Sequence, residues 1–163
     1  MYAKKNKVLN NVENINFVVG DLFEPFKEKV FSCITANPPY VKTEEVFNLQ
    51  PEIRDFEPFE ALNGGVDGLN FYRKIIENAH KYLLKDGLIF LEIGMGQAET
   101  VQNLALAEGF EVLEIVKDLA GIERVMILKK VRGLDEGVFF YSLFVFNLIC
   151  QSYLCSRTYN RIC

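Results

Sequence analysis

Four consecutive residues, Asn37-Pro38-Pro39-Tyr40, combine types that could do chemistry together. A planar NH2 group on a carbonyl or an aromatic ring is a poor nucleophile, because its lone pair is delocalised, so its nitrogen must be held in line with a methyl donor. An asparagine side-chain oxygen and the carbonyl of the following proline can each accept one of its two N–H bonds, fixing the nitrogen and favouring the charge that develops as it attacks. The prolines lock φ, so both acceptors stand in place before a substrate arrives. Tyr40 can stack on the flat group. Taken alone, the same tetrapeptide would serve as a rigid turn that ends a strand, and its position must decide between the two uses.

Asp21 is the second candidate. At the end of a strand it can accept a hydrogen bond from the exocyclic amine of an adenine lying across the strand ends, with Leu22 and Phe23 as apolar lids. Its plainer use is as an acidic turn residue.

The elements that must present these residues are legible from periodicity. Tyr2 to Leu9 reads as the last turns of a helix, stopped by Asn10-Asn11. Ile15 to Val19 is a β-branched run closed by Gly20-Asp21, and Val30 to Ala36 is another, ended by Asn37-Pro38-Pro39 because consecutive prolines cannot feed a central ladder. Neither run alternates cleanly, as expected of strands covered on both faces. The Asn-Pro-Pro-Tyr corner therefore leaves the carboxyl end of a strand, where α/β sheets bind ligands.

From Tyr40 to Leu69 the spacing predicts a long, mostly irregular excursion, of a length that is usually functional or disordered. Asn70 is placed to cap a helix whose Tyr72, Ile75, Ile76, Ala79, Tyr82 and Leu83 make one apolar stripe, with Lys85-Asp86-Gly87 as its stop. A strand at Leu88 to Ile93, a helix at Gln97 to Glu108, and strands at Glu111 to Val116 and Arg124 to Lys129 follow. The order predicts an α/β sandwich whose last two strands are antiparallel, joined by a turn around Gly121.

Composition agrees with one folded domain. The chain has 163 residues, half of them hydrophobic and a quarter charged, with a formal net charge of −4. That balance lacks the basic surface that nucleic acid binding uses. Four cysteines (Cys33, Cys150, Cys155, Cys163) without a C-x-x-C spacing, and His80 as the one histidine, offer no metal set and read as free thiols. Met1 is followed by Tyr2-Ala3-Lys4-Lys5-Asn6 rather than by an apolar stretch, so no signal peptide is expected and the body reads as cytoplasmic. The segment 133–163 differs in composition, and its apolar run Val138 to Cys150 is short for a membrane-spanning helix. It is expected to lie outside a domain formed by residues 1–132.

Gly20-Asp21-Leu22-Phe23-Glu24-Pro25 followed by Ala36-Asn37-Pro38-Pro39-Tyr40-Val41 resembles the Rossmann-like methyltransferases that act on planar amino groups. The likeness narrows with Glu57-Pro58-Phe59-Glu60-Ala61-Leu62-Asn63-Gly64-Gly65-Val66-Asp67-Gly68-Leu69, with Phe71-Tyr72-Arg73, with Leu91-Glu92-Ile93-Gly94 and Gln97, and with Asp118-Leu119-Ala120-Gly121 and Glu123-Arg124-Val125. Together these resemble the release factor glutamine methyltransferases, the PrmC or HemK family, over roughly Tyr2 to Lys130.

The resemblance implies methyl transfer from S-adenosylmethionine to the side-chain amide nitrogen of the glutamine in the Gly-Gly-Gln motif of class 1 peptide chain release factors. Asn37 and Pro38 would then grip the amide, Pro39 and Tyr40 shape the slot, Asp21, Leu22 and Asn37 border the cofactor, and Glu57 to Leu69 wall the substrate site. It also implies a truncated Rossmann-like sheet, because the family's first two strands and its glycine-rich loop have no counterpart here, and hence a chain with little activity alone. Two rivals remain: an amino-methyltransferase acting on adenine or cytosine of nucleic acid, and a non-catalytic fragment.

Overall fold

The computed structural model describes residues 2–27 and 30–131 and the backbone of Ser142–Phe146. Helix α1 (Tyr2–Leu9) opens the chain and ends, as expected, at Asn10 and Asn11, where Asn11 takes a left-handed φ of 52°. Strand β1 (Phe31–Asn37) follows a single 3-10 turn at Glu24–Phe26.

After β1 come three short helices, α2 (Thr43–Val46), α3 (Pro51–Arg54) and α4 (Phe59–Leu62), so the excursion is more ordered than its glycines and prolines suggest. Helix α5 (Asn70–Ala79), strand β2 (Leu83–Glu92), helix α6 (Ala98–Ala107), and strands β3 (Phe110–Lys117) and β4 (Glu123–Lys130) complete the ordered succession. Strand β5 (Ser142–Phe146) lies within the apolar tail. The rest of 133–163, including Cys150, Cys155 and Cys163, is outside the described residues.

One five-stranded sheet carries the fold, in the order β3-β4-β2-β1-β5. Strands β1 and β2 are parallel, with Ala36 beside Leu91, and β4 runs antiparallel to both β2 and β3. The antiparallel final pair is the one the sequence predicts, and its turn holds Gly121 at a φ of 80°. Strand β5 runs parallel to β1, with Cys33 beside Ser142 and Asn37 beside Phe146.

The core is one-sided. The α5 stripe of Tyr72, Ile75, Ile76 and Ala79 and the α6 residues Ala98, Val101 and Ala105 cover Ile34, Ile89, Leu91, Met126 and Leu128, all buried. Each fully buried aliphatic side chain contributes about 1.5–3 kcal/mol. On the opposite face Cys33 and Thr35 of β1, like Leu88, Phe90, Val125 and Ile127 of its neighbours, stay half-exposed, so the burial on both faces expected of Val30 to Ala36 holds for one face only.

Three expectations need correction. Ile15 to Val19 joins no ladder among the described residues, and Val19 is 81% exposed. The edge of β1 beyond the β1–β2 pair is taken by β5. Asn70 is the first residue of α5 rather than its cap; Asp67 ties down the entry instead, its carboxylate accepting the Leu69 N–H at 3.1 Å. Lys85-Asp86-Gly87 does not stop α5, which ends at Ala79. The Phe31 N–H donates to the Tyr82 carbonyl at 2.7 Å, committing the chain to β2, and Asp86 sits in a bulge at a φ of 59°.

Candidate functional site

Strands β1 and β2 run side by side to their carboxyl ends, and Asn37 and Glu92 are the next residues after the paired Ala36 and Leu91. Asn37 is exposed there, Pro38 and Pro39 are buried, and Tyr40 is half-buried. The corner thus presents its one amide side chain to solvent while its prolines anchor in the protein. It stands at the carboxyl edge of a parallel pair, the position the sequence assigned to it.

Tyr40 is held at both ends. Its hydroxyl donates to Glu92 Oε1 at 3.3 Å, and its carbonyl accepts from Gln97 Nε2 at 3.0 Å. Burial, and then the nearby Glu92 carboxylate, push the Tyr40 phenol above its usual range.

Gln97, just ahead of α6, links three segments. Its Oε1 accepts the Gly94 N–H at 3.2 Å and the Tyr72 hydroxyl at 3.2 Å, and the Tyr72 oxygen in turn accepts the Gly94 N–H at 3.1 Å. Tyr72 is fully buried, and that burial drives its phenol well above the ordinary tyrosine range. A buried hydroxyl needs such partners. The end of β2, the start of α6, the first turn of α5 and the Tyr40 backbone are thereby one hydrogen-bonded block.

The glycines of the excursion close against that block. A Cβ on Gly68 would lie 2.5 Å from the Tyr40 carbonyl oxygen, and one on Gly64 would lie 2.8 Å from Tyr40 Cα. Only residues without a side chain permit that approach. Backbone bonds then lace the two strands of the loop: Val41 N–H to Leu62 O at 3.0 Å, Gly64 N–H to Val41 O at 2.7 Å, and Thr43 N–H to Gly65 O at 2.9 Å. Asn63 Oδ1 accepts both the Thr43 hydroxyl at 2.9 Å and the Gly65 N–H at 3.0 Å. The excursion is a compact loop with its base fastened to the Asn-Pro-Pro-Tyr corner.

Behind Glu92, the β3–β4 turn is set by Asp118, whose Oδ1 accepts the Ala120 and Ile122 N–H groups and whose Oδ2 accepts from Arg124 Nε at 3.1 Å. The Ile122 N–H bond is the first of the contacts that hold the Asp118 carboxyl below the usual range. The Arg124 carbonyl accepts the Ile93 N–H at 2.9 Å, fixing this turn beside the end of β2.

Asp21 and Leu22 are not brought to this corner. Asp21 is exposed and Leu22 has a left-handed φ of 43°. The following Phe23 stacks on Tyr82 with ring centroids 4.6 Å apart, and Phe26 packs edge-on against Phe31 at 5.4 Å. Those partners stand at the amino ends of β2 and β1, opposite Asn37. Of the three residues expected to border a cofactor, Asn37 alone stands at the carboxyl edge.

The sequence put Tyr72 in an apolar stripe and Glu92 and Gln97 in matching motifs, but gave none of the three a part in the site. Two signals were available: an acidic residue at the end of a strand parallel to β1, and a glutamine three residues after a buried glycine at the entrance to a helix.

No protein-family model matches the chain. A release factor glutamine methyltransferase of Thermodesulfovibrio yellowstonii is 71% identical over 133 residues, covering 82% of this chain and 48% of the relative. One of Fusobacterium nucleatum is 41% identical over 129 residues, covering 78% of this chain and 36% of the relative. The chain spans about half the length, or less, of these curated relatives. A methyltransferase from Pyrococcus furiosus superposes with a TM-score of 0.57 at 19% identity, over 80% of this chain and 57% of that one, a likeness of fold.

Proposed function

For this chain, which belongs to the release factor glutamine methyltransferase family, we propose a part in methylating the side-chain amide nitrogen of the Gly-Gly-Gln glutamine in class 1 peptide chain release factors. S-adenosylmethionine would supply the electrophilic methyl group in that reaction: as the N–CH3 bond forms the S–CH3 bond breaks, S-adenosylhomocysteine leaves with the electron pair, and the amide nitrogen gives up one of its two protons to water. The observation that carries the reading is the braced corner: an exposed Asn37 at the end of β1, backed by buried Pro38 and Pro39, with Tyr40 tied to Glu92 and Gln97.

Asn37 Oδ1 and the Pro38 carbonyl accept the two N–H bonds of the substrate carboxamide. The positive charge that grows on the nitrogen as it attacks then meets two oxygen dipoles already in position. Pro39 and Tyr40 form the slot that admits a flat group, and the loop from Glu57 to Leu69 walls it. Asn37, if shared with the donor side, sets the distance between nitrogen and methyl carbon.

The residues present do not assemble a complete donor cradle. Asp21 and Leu22 would border an adenine only with Ile15–Val19 paired in the sheet, and in this chain that run stays outside it. The 163-residue chain by itself is therefore expected to bind S-adenosylmethionine weakly and to turn over little. Residues 1–132 act as the partial catalytic unit, to whose sheet β5 from the following segment adds an edge strand, and the working compartment is the cytoplasm.

Two measurements test this. Calorimetric titration of the chain with S-adenosylmethionine should give no micromolar binding, and such binding would remove the expectation of weak donor affinity. The full-length Thermodesulfovibrio yellowstonii relative, given labelled donor with a release factor and with oligonucleotides, should label the release-factor glutamine. Label on nucleic acid alone would transfer the corner to base methylation.

A further inference from the structure

We infer that the excursion from α2 to α4 is a docking shelf for a basic, apolar-bearing stretch of polypeptide that flanks the reacting amide. The inference rests on the proposed function for the identity of that amide. Its own support is the surface of the loop.

Three aromatic rings are exposed on this excursion, where burial would be their default. Phe47 is 64% exposed, Phe56 is 77% exposed, and Phe59 lies with its ring centroid 5.8 Å from that of Phe47. Beside Phe56 a recess of about 310 Å³ is lined by Asp55, Phe56, Glu57 and Pro58. Such a group of exposed rings on a small protein marks an interaction site.

Charge selects the occupant. Between Lys42 and Glu60 the sequence holds six carboxylates and two cations, and both cations are engaged locally. Lys42 pairs with Glu45 at 3.2 Å and Arg54 with Asp55 at 2.7 Å, while Glu44, Glu52 and Glu60 are exposed on the same excursion as the rings. An apolar shelf with this rim repels phosphate backbones and attracts lysine and arginine.

Placement supplies the link to the site. The Val41–Leu62, Gly64–Val41 and Thr43–Gly65 backbone bonds fasten the base of the shelf directly beside the Asn-Pro-Pro-Tyr corner, so shelf and corner belong to one continuous, hydrogen-bonded stretch of chain. The bound partner would then be read over a span wider than one glutamine.

Fluorescence anisotropy of the 163-residue chain with a fluorescein-labelled peptide, Gly-Gly-Gln flanked by lysines and leucines, tests the idea. The combined variant Glu44→Lys, Glu52→Lys, Glu60→Lys and, separately, Phe56→Ser should each weaken binding by about tenfold. Added salt should weaken binding to the parent chain and leave the charge-reversed variant nearly unaffected. Circular dichroism of the variants checks folding, and Glu111→Lys on β3 should bind like the parent.

Parent-like binding by both shelf variants overturns the inference, as does equal affinity for a peptide flanked by aspartates, or competition by single-stranded nucleic acid. Replacing the peptide glutamine by leucine separates the two readings. Binding that ignores that replacement but falls on charge reversal supports the shelf and counts against the amide grip. Binding that needs the glutamine but ignores the shelf variants does the reverse.

Discussion

Gly68 and Gly121 make a controlled pair for measuring how tightly the loop closes on the corner. Their backbones are nearly identical, with φ values of 77° and 80°. A left-handed backbone costs an L-residue about 1–2 kcal/mol wherever it occurs. Around Gly121 a new Cβ meets nothing within 4 Å, so Gly121→Ala should cost that amount and no more. At Gly68 the same methyl would lie 2.5 Å from the Tyr40 carbonyl oxygen and 2.7 Å from Gln97 Nε2. The oxygen cannot yield freely, because it is backbone and holds the Gln97 hydrogen bond at 3.0 Å. Overpacking of this kind costs about 1–3 kcal/mol, and a lost hydrogen bond about 1 kcal/mol. Gly68→Ala should therefore exceed Gly121→Ala by about 2–4 kcal/mol. With a urea slope of about 2 kcal/mol per molar, the middle of the range for small domains, the two midpoints should differ by about 1–2 M. Urea unfolding followed by circular dichroism reads this directly. Equal midpoints would refute the close packing of the loop on Tyr40, and with it the bracing of the corner.

Other perturbations address the network behind that contact. Gln97→Leu removes acceptors from Gly94 N–H and Tyr72 and the donor to Tyr40 O, and should destabilise by about 2–3 kcal/mol, whereas Gln97→Glu keeps the acceptors and should cost less; thermal unfolding ranks the two. The raised Tyr72 phenol means that burial favours its neutral form, so its stabilisation is complete below the unfolded value of about 10 and is lost as pH rises through the folded value. Stability should accordingly fall more steeply above pH about 10 in the parent than in Tyr72→Phe, and parallel urea-midpoint curves would contradict this. Asp67 shows the opposite sign: Arg73 first, and then the Leu69 N–H, hold its carboxyl down to about 2, so its contribution is present above the ordinary carboxylate value and is lost as pH falls towards 2. Asp67→Asn should flatten the acid limb between pH about 4 and 2, and an NMR titration of the Asp67 carboxyl checks the depressed value independently.

Most of the sheet was legible because its signals are local. The β1 run ends where two prolines forbid a ladder, the α5 stripe repeats at helical spacing, and Gly109 and Gly121 mark the turns that follow. What failed depended on partners. Ile15–Val19 has the β-branched composition of a strand, but a strand exists only against another, and β5 holds the edge of β1. Composition cannot reveal which of two apolar runs wins one edge. Asp86 misled for a similar reason: Lys85-Asp86-Gly87 looks like a helix stop, yet the Phe31–Tyr82 bond begins β2 before that point and turns the triplet into a bulge fixed by Lys129.

The corner itself was found from four residues, whereas the network that steadies it was not, and the difference is one of sequence distance. Asn37 to Tyr40 carry their geometry in their own backbone, since proline restricts φ regardless of surroundings. Tyr72 reads as one more apolar member of a buried stripe, and only the fold reveals that its hydroxyl meets Gly94 and Gln97 at separations of 22 and 25 residues. Gln97 reads as the residue before a helix, and only the fold brings it to Tyr40, 57 residues away. A rigid local motif thus announces where chemistry could occur. Whether its acceptors stay within tenths of an ångström of a productive position depends on these distant bonds, and near-attack geometry is where such displacements cost most.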